Sequence, residues 1–297
     1  EVVFRWLCPI EKQSVTNAVS ANSLRFTQIY FFAMCLFYNY LYMIIYNSFD
    51  TYKKFLVCGD IHGEFKTLLY ELKRKQIEDA VVLVAGDCGI GFEKPAYYEQ
   101  LYKKLELTLV KLNCMLILMR GNHDNPDYFE NRLIDYPRMK TIPDYCVIQF
   151  SGNNILCIGG AVSIDREYRE TQMGLAKLKN RTVTYYWKDE IPVYAPEKLS
   201  EIKTDGLKIN TVITHTAPSF CFPTTKSGIE GWLEQDNTLS ADLDYEGKVM
   251  DEIYEHLKVD NHPLSTWFYA HFHASKVEYI SGIRFQLLNI LELMQVR

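Results

Sequence analysis

The sequence predicts a layered α/β fold, on three observations. The runs at 55–58, 80–85 and 115–119 are apolar at every position, as strands buried on both faces must be. Stretches with helical spacing separate them. Each run is followed at once by a short polar cluster rich in Asp and His, and in an open α/β sheet ligands collect where the strands end.

Taken in order, the strand at 55–58 ends at Gly59, and Phe65, Leu68, Leu69 and Leu72 then recur along one helix face. The strand at 80–85 is rich in β-branched residues and ends at Gly86. Pro95 suits the first turn of a helix that runs to about Leu112, where its missing N–H costs nothing. The strand at 115–119 follows. Strands at 146–150 and 155–158 flank Ser151, Gly152, Asn153 and Asn154, a hairpin turn. Further strands are expected at 211–214 and 266–270, with a helix at 245–257 between them. A last hairpin joins 277–280 to 283–290 through Ser281 and Gly282. The stretches 163–211 and 219–244 read as long polar and aromatic loops, and loops of that size inside a domain are usually functional. Residues 50–297 therefore read as one domain.

Composition narrows the function classes. With 48% apolar and 23% charged residues the chain is globular rather than disordered. A net charge of −5 with scattered basic residues offers no duplex nucleic-acid surface; the run Lys73, Arg74, Lys75 reads as the solvated end of a helix. Of eight cysteines, Cys58, Cys88, Cys114 and Cys157 sit in or beside apolar runs, where free Cys behaves as a small hydrophobe. No pair has metal-finger or redox spacing, so a reducing, cytoplasmic setting is expected.

Residues 1–49 stand apart. The stretch 26–49 carries no charge and is long enough to span a bilayer, yet it is crowded with Tyr and Asn. Arg25 precedes it and Lys53 and Lys54 follow, so charge gives no orientation. The chain starts at Glu1, and Met43 lies just ahead of the first polar cluster. The expectation is a dispensable extension; the alternative is a membrane anchor, with membrane contact through 26–49 only.

The polar clusters carry the chemistry. Asp60 and His62, and likewise His271 and His273, stand one residue apart at strand ends and can point to one metal. Asp87 stands alone, as suits a carboxylate bridging two ions about 3.5–4 Å apart. Carboxylates with imidazoles favour Mn, Fe, Zn or Ni over Mg. Any one of these motifs alone has a bland structural explanation. Of seven histidines, however, five (His62, His123, His215, His271 and His273) fall in such clusters, which chance does not easily arrange; His256 and His262 have no assigned role.

The series GDIHGE at 59–64, GD at 86–87, RGNHD at 120–124, THTAP at 214–218 and AHFH at 270–273 closely resembles the calcineurin-like metallophosphoesterase superfamily over about residues 54–292. The family usually has Gly at the position of Ala270. Segments such as GGAVSIDREYR at 159–169 resemble a group of small bacterial and phage phosphoesterases. The resemblance implies a β-sandwich flanked by helices, in α/β/β/α order, with metals at the strand ends. It implies two divalent ions, Mn foremost: one held by Asp60, His62 and His273, the other by Asn122, His215 and His271, with Asp87 bridging. It further implies in-line attack on a phosphomonoester or phosphodiester by a metal-bridging hydroxide, with His123 as general acid and Asp124 orienting it. Asp124 could equally cap the helix that starts near Pro126.

Arg120 and Arg166 are the candidates to grip phosphate, although Arg120 could instead brace its loop against a carboxylate. A protein phosphatase is a second reading. It is weakened because the stretch after Asp87, from Cys88 to Phe92, lacks the Asp and Arg that those enzymes carry there. A non-catalytic scaffold is a third. The expected substrate is a phosphorylated small molecule, nucleotide or phosphoprotein. Tyr168, Tyr185, Tyr186, Trp187, Phe220, Phe222 and Trp232 could stack on a base or simply pack the loops down.

Overall fold

Two sheets lie face to face between helices. The structure, a computed structural model, describes residues 45–46, 49–223 and 228–296. The described residues all belong to one compact unit. Except for Ile45, Tyr46 and Phe49, the uncharged stretch 26–49 lies outside them. Among the described residues no helix is long and apolar enough to cross a membrane.

The first sheet is built on three parallel strands, β2 (Lys54–Cys58), β3 (Ala80–Ala85) and β4 (Cys114–Met119). Short strands β5 (Asp135–Tyr136) and β6 (Met139–Thr141) extend it beyond β4. The second sheet contains the hairpin β7 (Cys146–Phe150) and β8 (Asn153–Ile158), then β9 (Thr211–Thr214), β10 (Thr266–Tyr269), β12 (Ile283–Leu287) and, at its edge, β11 (Lys276–Ile280). At the other edge β1 (Ile45–Tyr46) pairs in parallel with β7, and Phe49 is buried in the core. The folded unit therefore takes in residues ahead of position 50.

Side-chain alternation explains the layers. Phe55, Val57, Leu83 and Ile117 point inward and meet Ile148, Ile155, Ile213 and Phe268 of the second sheet. Their neighbours Leu56, Cys58, Val82, Val84, Leu116 and Leu118 point outward. They pack under helices α1 (Phe65–Arg74) and α2 (Pro95–Leu112), which bury Leu68, Leu72, Leu105 and Leu109. The second sheet buries Val212, Trp267 and Phe285 on its far side against α5 (Pro196–Thr204) and α7 (Leu239–Val259). Complete burial of each such side chain favours folding by about 1.5–3 kcal/mol. All six described cysteines are free and buried.

Two expectations need correction. The stretch 163–211 is not a loop throughout: it contains α4 (Arg166–Leu178) and α5, while α6 (Glu230–Gln235) and an early start to α7 occupy much of 219–244. Helix α4 buries only Arg166 and Arg169. It is held by charge and has no apolar stripe for periodicity to detect. The expected strand 283–290 stops at Leu287, and β13 (Leu293–Gln295) follows, pairing antiparallel with β2. The N–H groups of Gly59 and Leu291 donate to the carbonyls of Glu292 and Asp60, at 3.0 Å each, and Val296 N–H donates to Phe55 at 2.9 Å.

Candidate active site

Five strand ends deliver the polar clusters to one place. From β2 come Asp60 and His62, from β3 Asp87, from β4 Asn122 and His123, from β9 His215, and from β10 His271 and His273. Four of these residues leave the strands in the left-handed region: His62 (φ 45°), Asp87 (φ 48°), His271 (φ 66°) and His273 (φ 49°). Non-glycine residues adopt it at a cost of about 1–3 kcal/mol each, and such strain gathers at functional sites. Close approach also demands glycine. A Cβ at Gly86 would sit 2.1 Å from Nδ1 of His215, and one at Gly121 would sit 2.2 Å from Oδ1 of Asp87.

Around Asp60 several ligand atoms converge. Nε2 of His62 and Nε2 of His273 face each other at 3.1 Å, and two imidazole lone pairs cannot meet so without a proton or a cation between them. Nε2 of His273 lies 2.9 Å from Oδ2 of Asp60, yet that buried oxygen receives no hydrogen bond of acceptable geometry. Ligand atoms of Asp60, His62, Asp87 and His273 all lie within 4.8 Å of one another. That is close to the spread of ligands sharing one ion about 2.0–2.2 Å away. The residues present fit a divalent metal.

Around His215 the arrangement is tighter and dry. Nδ1 of His215 is 2.7 Å from the carbonyl of Ala85, which can only accept, so Nδ1 carries a proton. Nε2 is then turned toward two acceptors, Oδ1 of Asn122 at 3.1 Å and Oδ1 of Asp87 at 3.2 Å. Burial works against a second proton on this ring, but Asp87 and Asp60 outweigh it and raise the imidazole to about 9. Burial would raise the Asp87 carboxyl, yet His215, His123 and His271 hold it well below the usual range. A cation at Nε2 would relieve the same tension as that proton. Burial and the neighbouring His215 push His271 down to about 3, leaving a neutral ring. The amide of Asn122 is oriented from behind: Nδ2 donates to Oγ of Ser163 (2.9 Å), which donates to Glu190 (2.7 Å). Asp87 reaches both groups, with Oδ2 3.8 Å from Nδ1 of His62.

His123 stands beside Asp87, its N–H donating to Oδ1 at 2.8 Å. Burial lowers its imidazole despite Asp87, and Nη2 of Arg169 lies 2.6 Å from its Nε2. Arg169, paired with Asp165 at 2.8 Å, is a cleft residue that sequence reasoning missed. The only signal was its place within the group-specific segment 159–169.

The expected arginines sit elsewhere. Arg120 is buried against Asp144 (2.7 Å) and the carbonyl of Glu190, which is the bracing role. Arg166 is clamped by Asp236 and Asp242 at 2.5 and 2.7 Å, tying α4 to the start of α7. Asp124 also departs from expectation. Its carboxylate accepts N–H bonds from Cys88, Ile90 and Gly121 at 2.8–2.9 Å, so it knits two loops together and does not touch the His123 ring. Burial and Asp87 raise it to about 7. The cap of α3 (Pro126–Glu130) is Asn125, whose side chain accepts from Asp127 N–H.

A cleft of about 650 Å³ opens on the cluster, and its lining includes Asp87, Asn122, His123, Arg169, His271 and His273. The loop aromatics separate into two groups. Phe222 and Trp232 line the cleft, whereas Phe220 packs on Tyr254 and Phe285, and Trp187 packs on Phe92.

A model of the family described as calcineurin-like phosphoesterase matches residues 53–275, and the chain belongs to that family. No curated protein sequence matches it. Among solved structures it is similar to a phosphopantetheinyl hydrolase from Mycobacterium tuberculosis, at 15% identity and a TM-score of 0.43, covering 83% of this chain and 96% of that one. It is also similar to a Staphylococcus aureus protein provisionally assigned as a 5′-nucleotidase, at 14% identity and a TM-score of 0.40, covering 81% of this chain but 49% of the other.

Proposed function

We propose that the chain is a phosphoesterase dependent on two divalent ions, one held by Asp60, His62 and His273 and the other by Asn122, His215 and His271, with Asp87 shared. The observation that carries this is the convergence of ligand atoms of His62, Asp87 and His273 around the buried Oδ2 of Asp60, which receives no hydrogen bond. Mn is the expected ion; the mixed carboxylate and imidazole set also suits Fe, Zn or Ni. When bound, the ions would lower the pKa of a water and neutralise phosphoryl charge. The catalytic domain is residues 50–297 together with β1.

The chain's own residues do the rest. Arg169 is aimed at the rim beside Asp87 and supplies the guanidinium that grips a phosphate oxygen. In the free protein that guanidinium holds the neutral His123 ring as an acceptor. A phosphate dianion that draws Arg169 away frees Nε2 of His123 and favours its protonated form. His123 can then hand its proton to the departing oxygen, a contribution of about 10²–10⁴-fold. Asp124 keeps the backbone under His123 in place through its three N–H bonds.

The test joins metal analysis to a panel of monoesters, diesters and phosphopeptides. Bound or recruited Mn, Fe, Zn or Ni together with turnover is expected; a chain that neither holds nor recruits any of them would refute the reading. His123→Ala should keep its metals and lose turnover chiefly on esters with poor leaving groups. Equal loss of metal would mean that His123 is a ligand instead.

A further inference from the structure

We propose that the cleft selects phosphate esters of an uncharged, apolar alcohol; this rests on the phosphoesterase reading and names its substrate class. The wall facing Arg169 is apolar and comes from separate elements: Ile164 ahead of α4, Phe222, Trp232 on α6, Leu243 on α7, and Phe272 between the two ligand histidines. It runs up to the reaction centre, since the Phe272 ring lies 5.0 Å from His271 and 5.5 Å from Phe222. Trp232 is not core, for α6 has no fully buried residue.

Polar partners for a sugar are taken. Glu246 accepts from Val162 N–H and from the Thr216 hydroxyl, and the Ser219 hydroxyl donates to Asp251. Hydroxyl groups buried against Trp232 and Phe222 would lose water without gaining a bond, which is unfavourable. An alkyl or aryl group suffers no such loss.

The test is the binding of alkylphosphonates, from ethyl to hexyl, to the full Mn-loaded chain by calorimetry, alongside turnover of the matching alkyl phosphates, glycerol phosphate and AMP. Complete burial of one methylene corresponds to about a fourfold gain. We expect about threefold per methylene in Kd, roughly 80-fold across the series, with the alkyl esters turned over in preference to glycerol phosphate and AMP. Trp232→Ala should flatten the slope to under about twofold per methylene. If that variant melts early, Leu243→Ala tests the same wall. A flat phosphonate series, or a preference for AMP or glycerol phosphate, overturns the proposal. A rising phosphonate series with no turnover of any ester leaves the cleft assignment standing and sinks the hydrolase reading instead.

Discussion

The two halves of the cluster use similar ligands in opposite settings. Around Asp60 the imidazoles of His62 and His273 are 31% and 47% exposed. Around His215 the ring is fully buried, Asn122 is 2% exposed, and both are held from behind by Ala85, Ser163 and Glu190. One half is open and lightly braced, and the other is dry and over-determined. Supporting residues commonly change metal affinity by about 10–100-fold, so the buried half should hold its ion more tightly and exchange it more slowly.

The largest effect should come from the residue that belongs to both halves. Asp87→Ala should strip both ions and lower turnover by more than about a hundredfold, read by elemental analysis and initial rates; loss of one ion alone would show that Asp87 does not bridge. Next, His215→Ala leaves the buried Asp87 carboxylate without its partner. It should destabilise the metal-free protein by about 3–5 kcal/mol, whereas His273→Ala should cost less, because its ring is half-exposed. Denaturant melts of the two variants decide this, and equal losses would erase the contrast. Ser163→Ala should weaken one ion roughly 10–100-fold and spare the other, as metal titration can show.

The smallest effect is one of slope. Burial raises Glu190 from 4.5 to about 8 despite its Ser163 bonds, so the folded state binds a proton there that the unfolded chain has released. Its contribution to stability is complete below about pH 4.5 and fades as pH rises through 8. Glu190→Gln should reduce the fall in melting temperature between pH 6 and 8.5 by about 2–4 °C. Asp124 and Glu246, both raised to about 7 by burial, and His215, raised to about 9, also contribute to the fall. An unchanged slope would locate the effect in those other groups.

The paired ligands were the more legible in sequence. Asp60 and His62, and His271 and His273, announce themselves because each pair is one residue apart at the end of an apolar run. The strands were legible for the same local reason. What stayed hidden depends on distant partners. Helix α4 has no apolar face because it is fastened by Arg166 to residues 70 and more positions away, so it read as loop and Arg169 went unnoticed. The Ser163–Glu190 brace and the engagement of Arg120 by Asp144 likewise join segments with no common motif. Asp124 lies in a legible motif, but its contacts to the backbone of Cys88 and Ile90 could not be foreseen from spacing.

The hydrogen bonds that tie Asp60 and its strand to Leu291, Glu292 and Val296 bear on how the protein is made. Asp60 leaves the ribosome more than 230 residues ahead of the strand that closes over it. A nascent chain can thus display Asp60, His62 and Asp87 long before His271, His273 and β13 exist. The strand that closes over Asp60 can pair with β2 only once the segment bearing β13 has emerged.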